Sequence, residues 1–309
     1  MNKPSHTRKL AAIGIAALLF AALACIPLPD AARHAGDAFL DPKGQRSLAV
    51  LAGALVMWVL EALPFHITGL LAMVMLALVG ASDFATIVKS GFGDDVVLFF
   101  IGVLALAAAI VRSGLGKRVS LLVLSITGNS TRRIIFGFLA AGAFLSMWVT
   151  AMASSAIIMP LALAILTEEG LKPGESRFGR ALMLAVAWGA LIGAVGTPAG
   201  SGSNPLVVKF MGSLAHIDIS FIRWMAIGLP IVVLLLPSAW GVLVLFSPPE
   251  MKCLRKSHDD IKREFSAQSR MSHDEKATLI VFATTVLIWL ASPIIQNLWH
   301  IKIPISMGA

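Results

Sequence analysis

Two short stretches carry the residue types that could bind a solute. The first, Phe144-Leu-Ser-Met-Trp-Val-Thr-Ala-Met-Ala-Ser-Ser-Ala-Ile-Ile-Met-Pro160, sets the hydroxyls of Ser146, Thr150, Ser154 and Ser155 inside an apolar run over 134–167. The second, Gly193-Ala-Val-Gly-Thr-Pro-Ala-Gly-Ser-Gly-Ser-Asn-Pro205, adds Thr197, Ser201, Ser203 and Asn204. Its core, Gly196 to Pro205, holds three glycines and two prolines in ten residues, which a regular helix does not tolerate. Neutral oxygens at such spacing suit a hard cation. Freed backbone N–H groups at the start of a helix suit an anion, because the helix dipole is positive there. Ser146 and Thr150 are four apart and share a face if that arm stays helical. A hairpin with its tip between them and Ser154 presents carbonyls from its first arm and N–H groups from its second.

The elements that must position these residues are apolar helices. The chain is 57% apolar and 14% charged, with a mean hydropathy of +0.85. Soluble domains carry about a quarter charged residues, so this composition implies an all-α polytopic membrane protein. Runs long enough to span a bilayer, about 20 residues each, lie near 11–29, 47–63, 66–82, 95–113, 180–212, 222–247 and 276–297. Backbone broken at membrane depth survives only against protein or a wet cavity. Two such breaks mark a solute site near the midplane of a carrier.

The net charge of +8 does not imply nucleic acid, because the basic residues are spread over loops between spans. The segment beginning Lys3, Arg8 and Lys9 reads as a retained first helix with a cytoplasmic N-terminus, since no small-x-small cleavage site follows it. With that orientation, and with 134–167 entering and leaving on one side, all but seven of the 25 Lys and Arg residues fall inside. The seven are Arg33, Lys43, Arg46, Lys89, Lys209, Arg223 and Lys302. A single crossing at 134–167 would put the basic 248–275 loop outside, against the positive-inside rule.

Cys25 and Cys253 fall on opposite faces in this topology and form neither a disulfide nor a metal motif. Asp94 and Asp95 are expected to cap the helix that follows them, and Glu61 and His66 to flank Pro64 in an interfacial turn. The seven tryptophans mostly fall near span ends, with Trp148 beside the hairpin tip. Ser247-Pro-Pro-Glu250 ends a helix, and 248–275 reads as a solvated cytoplasmic connector. No nucleophile–base pair or metal-spaced cluster suggests an enzyme.

Several pieces resemble the divalent anion:sodium symporters, carriers of di- and tricarboxylates or sulfate. They are Trp58-Val-Leu-Glu-Ala-Leu-Pro64, Phe144-Leu-Ser-Met-Trp148, Ile157-Ile-Met-Pro-Leu-Ala-Leu163 and Gly196-Thr-Pro-Ala-Gly-Ser-Gly-Ser-Asn204, which together span most of 47–247. The resemblance implies scaffold helices (1–133), a re-entrant hairpin with a broken helix (134–220), a further span (221–247), the connector (248–275) and the start of a second, inverted repeat (276–309). It also implies a homodimer with an elevator-like transport domain in a bacterial inner membrane, the bilayer and a small anion as partners, and no organic cofactor.

Ser146, Thr150, Gly200 and Asn204 are the expected sodium-binding residues. The anion is expected near the hairpin tip, Thr150, Ala151 and Met152, together with Thr197, Ser201, Gly202 and Ser203. The tip departs from the Ser-Asn-Thr of that family. Ala151 and Met152 lack the amide and hydroxyl, which leaves a changed substrate, a changed coupling ion or counter-exchange open. By the repeat logic, a second hairpin and broken helix are expected beyond Ala309. A chain with one copy alone would hold half a site, so a non-transporting half-protein is the rival reading.

Overall fold

The computed structural model describes residues 6–26, 34–35, 38–172, 174–254 and 270–299. The chain forms two compact units, divided after Val97. Among the described residues three helical stretches are long and apolar enough to cross a membrane: 84–113, Ala151–Glu168 and Phe221–Phe246. Shorter apolar helices cover Lys9–Cys25 and Phe65–Leu78.

The first unit contains α1 (His6–Cys25), a two-residue antiparallel ladder of β1 (His34–Ala35) and β2 (Ala38–Phe39), α2 (Pro42–Val59), α3 (Phe65–Leu78) and α4 (Phe84–Phe92). Pro42 opens α2 at the position where a missing N–H costs nothing, and the Asp41 carboxylate accepts from the Gly44 N–H. The Gln45 amide donates to the carbonyls of Leu23 and Ile26, both at 2.8 Å, and so closes the end of α1. The turn at Leu60–Pro64 falls where Glu61 and His66 were expected to flank it, with Glu61 at φ 49°.

The second unit holds α5 (Asp95–Ser113), which begins at the end of the first, then α6 (Leu115–Ser125), α7 (Thr131–Ser146) and α8 (Ala151–Glu168). After these come α9 (Arg177–Gly193), a 3-10 turn (Pro198–Gly200), α10 (Ser203–Ala215), α11 (Phe221–Phe246) and α12 (His273–Trp299). Its core gathers the fully buried Leu121, Ile134, Phe138, Ile158, Phe178 and Leu182. Lipid is as apolar as these side chains, so close packing rather than expulsion from water holds the helices together.

Two stretches that fall between the expected spans are helical. Residues 83–94 contain α4, started by the Asp83 carboxylate accepting from Thr86 N–H at 2.9 Å. Residues 112–133 contain α6, whose Ser120 hydroxyl turns back onto the Gly116 carbonyl at 2.9 Å. Length alone hid them, since helices of 9 and 11 residues are too short to register as spans. Asp94 caps as expected, accepting from Val96 N–H at 3.0 Å. Cys25 and Cys253 are exposed free thiols. Most of the expected connector, 255–269, and the tail, 300–309, lie outside the described residues.

Candidate functional site

The run over 134–167 is a helical hairpin. Helix α7 ends at Ser146, and α8 starts at Ala151 with Thr150 as its N-cap, the Thr150 hydroxyl accepting from Ala153 N–H at 3.3 Å. The two arms are pinned by the buried Ser154 hydroxyl, which donates across the hairpin to the Gly142 carbonyl at 3.0 Å. Trp148, at the tip, stands edge-on to Phe282 of α12 with ring centroids 5.1 Å apart.

Helix α9 lies alongside α7 and parallel to it, at a separation that only glycine permits. A Cβ on Gly189 would sit 2.4 Å from the Leu139 carbonyl oxygen. One on Gly193 would sit 2.0 Å from the Ala143 oxygen and 2.4 Å from the Ser146 hydroxyl. The two glycines are four apart and face one groove, the spacing that lets membrane helices approach closely. Because the helices are parallel, the breaks that follow Ser146 and Gly193 meet at the same end.

There the chain unwinds from Ala194 to Gly202, and its polar groups tie it to the hairpin. The buried Thr197 hydroxyl donates to the Met147 carbonyl at the tip. The Asn204 amide donates to the carbonyls of Ala194 and Thr197, both at 2.8 Å, holding the loop closed. Gly200 presses its Cα against the hairpin, where a Cβ would be 2.8 Å from the Ser146 carbonyl oxygen. Helix α11 covers the outer side: Trp224 donates to the Val195 carbonyl at 2.9 Å, and Gly228 abuts the carbonyls of Val195 and Gly196.

The expected site residues therefore divide. Ser146, Thr197, Gly200 and Asn204 come together as a buried cluster around the carbonyls of Ser146, Met147, Ala194 and Thr197, the last three of which already accept from the Thr197 hydroxyl or the Asn204 amide. Thr150 and Ala151 are half-buried at the hairpin tip, and Met152 is 86% exposed. Ser201 and Ser203 bond to each other at 3.0 Å on the outer side of the turn, with the exposed Gly202 between them against the Phe100 ring. Chemically, the buried cluster offers neutral oxygens to a cation. The tip and the serine pair offer hydroxyls and helix-start N–H groups to an anion. Among the described residues no group of three His, Cys, Asp or Glu is placed to hold a metal.

The glycine contacts of Gly142, Gly189 and Gly193 were not singled out from the sequence, although Gly189-x-x-x-Gly193 carried the signal. Glu250 was also missed. Its carboxylate accepts from the N–H groups of Arg177 and Phe178 at the start of α9, the latter at 2.9 Å. Desolvation there opposes its charge, but the hydrogen bonds, led by that from Phe178, outweigh it and hold the carboxyl below its ordinary value. No local pattern could have signalled a bond spanning 72 residues.

A family model for the sodium:sulfate symporter transmembrane region matches residues 7–304. A protein of Staphylococcus saprophyticus named sodium-dependent dicarboxylate transporter SdcS is 31% identical over 318 residues, covering 99% of this chain and 59% of the relative. The protein of the same name from Staphylococcus aureus strain NCTC 8325 is 32% identical over 278 residues, 86% of this chain and 52% of the relative. The chain thus spans between half and three-fifths of the length of these curated relatives. With a hairpin tip locked to a broken helix and a family match running through nearly every described element, the chain belongs to the sodium:sulfate symporter family.

Proposed function

We propose that this chain forms one half of the solute site of a sodium-coupled carrier of divalent anions, dicarboxylate or sulfate. The observation that carries the reading is the bond from the Thr197 hydroxyl to the Met147 carbonyl, which joins two interruptions of helix at one point. Around it, Ser146, Thr150, Gly200 and Asn204 supply the sodium ligands. Thr150, Ala151, Met152, Thr197, Ser201, Gly202 and Ser203 face the anion. The hairpin is re-entrant, residues 134–220 move as a transport body against the scaffold of 1–133, and the carrier works as a homodimer by an elevator motion. Span 221–247, connector 248–275 and the start of an inverted second repeat at 276–309 complete the division, with the N-terminus cytoplasmic. The relatives' names, which specify sodium and dicarboxylate, support coupling and substrate class.

The test is uptake of labelled succinate and sulfate by liposomes carrying the whole protein. Sodium-dependent accumulation of either is expected, and equal uptake with choline in place of sodium overturns the coupling. A second reading, counter-exchange or proton coupling, is favoured by the tip, where Met152 presents an exposed thioether in place of a polar group. Counterflow of labelled anion without any cation gradient would select it.

A further inference from the structure

Separated from the end of α11 by three residues, the segment Glu250–Leu254 crosses the first turns of both α7 and α9. On the α9 side, a helix start leaves four backbone N–H groups without partners, and here all four are satisfied. Ser176 N–H donates to the Lys172 carbonyl at 3.0 Å, Arg177 and Phe178 N–H donate to Glu250, and Gly179 N–H donates to the Ser176 hydroxyl at 2.9 Å. On the α7 side, Thr131 donates its hydroxyl to the Met251 carbonyl at 2.7 Å and its N–H to the Lys252 carbonyl at 3.2 Å. Leu254 N–H donates to the Asn129 carbonyl at 3.0 Å, and the Leu254 side chain is buried in the core.

This segment lies at the end of the two helices opposite the Thr197–Met147 bond. With 16 and 17 residues in α7 and α9, the separation is about 25 Å at 1.5 Å per residue. Between the two ends the helices meet through glycine and alkyl groups. Those contacts set how closely the helices approach and resist large slips, while the directional hydrogen bonds at the two ends fix one helix's height along the other more finely.

We propose that Glu250–Leu254 is a clip that sets the axial register of the broken helix against the hairpin, with Glu250 as a positioning residue for the distant cluster of Ser146, Thr197, Gly200 and Asn204. The inference rests on reading that cluster as the solute site. A half-turn slip at the clip would withdraw Thr197 from Met147, so the clip makes the two halves of the cluster one rigid body. Glu250 suits the task better than a neutral acceptor because one carboxylate takes two adjacent N–H groups at the positive end of the α9 dipole.

The test compares Glu250→Ala, Glu250→Gln and Glu250→Asp in the whole protein by amide hydrogen exchange and by sodium titration of uptake. A local cap would loosen only 177–180. The clip requires Glu250→Ala and Glu250→Gln to speed exchange about threefold to tenfold both there and at 194–204, the effect of losing one or two net hydrogen bonds. It also requires half-saturating sodium to rise by a similar factor while maximal uptake changes less, with Glu250→Asp restoring most of both. Acceleration confined to 177–180 overturns the clip. Thr131→Val, which removes the hydroxyl bond on the α7 side, is the second variant should the Glu250 changes prevent folding. It must loosen 194–204 as well, and normal exchange there also overturns the proposal. If wild-type uptake ignores sodium, the sodium-coupling reading fails separately, and the exchange data still decide the clip; if the whole protein takes up neither anion, the solute-site reading fails.

Discussion

Gly193→Ala adds one methyl group, and the structure says what it must displace. The new carbon would lie 2.0 Å from the Ala143 carbonyl oxygen, 2.4 Å from Ala143 Cα and 2.4 Å from the Ser146 hydroxyl, whereas ordinary contact begins at 3.4 Å. Two of the three atoms are backbone of a packed helix, so no side-chain rotation relieves the clash, and α7 and α9 must part by about 1.4 Å. A gap of ~1 Å already forfeits up to half of each dispersion contact along the seam. Overpacking of this kind costs roughly 1–3 kcal/mol and occasionally more, and this site belongs at the upper end. Alanine recovers about 1 kcal/mol in helix propensity, which leaves a net loss of about 2 kcal/mol. The melting midpoint of the purified protein should fall by roughly 4 °C or more, and the separation should also break the Thr197–Met147 bond and with it uptake. The control is Gly102→Ala in α5, where no atom of another described residue lies within 4 Å of the added methyl. There the same substitution should be neutral or raise the midpoint. A Gly193→Ala protein as stable and active as wild type would refute the argument that glycine at this position sets the helix separation.

The remaining predictions concern single polar groups. Thr197→Val keeps the shape but leaves the Met147 carbonyl without its donor, so it should cost about 1–3 kcal/mol, while Thr197→Ser should be close to wild type; thermal unfolding of the two variants checks this. Asn204→Asp should be worse than Asn204→Ala at neutral pH, because a carboxylate cannot donate to the Ala194 and Thr197 carbonyls and would face them with like charge; stability and half-saturating sodium both report it. The Glu250 carboxyl titrates below its ordinary value of 4.5, so its stabilising effect is present above that pH and is lost as pH falls through the depressed value. The stability gap between wild type and Glu250→Gln should therefore be full at pH 7 and close below about pH 4.5, which denaturation curves across that range would reveal. Thr68 is fully buried, and its hydroxyl has no hydrogen-bond partner among the described residues, so Thr68→Val should leave the melting midpoint unchanged or raise it.

The sequence alone determined the class of this protein, because composition and span length are additive properties that need no fold to be read. A chain that is 57% apolar must be membrane-bound whatever its topology. The positions of the two breaks were equally local. Glycine and proline between Gly196 and Pro205 forbid a regular helix there, and the structure interrupts it at 194–202. Short helices such as Phe84–Phe92 escaped notice because their length matches no spanning criterion. What only the tertiary structure decided is which side of each break is buried. Thr197 and Asn204 turn inward to satisfy carbonyls freed by the unwinding, while Ser201 and Ser203, of similar polarity and a few residues away, face out and bond each other. That division follows from the parallel approach of α7 and α9, which brings the Thr197 hydroxyl beside a carbonyl 50 residues earlier in the sequence. Glu250 depends on the fold in the same way: its partner is a helix start 72 residues earlier, and only packing could bring the two together.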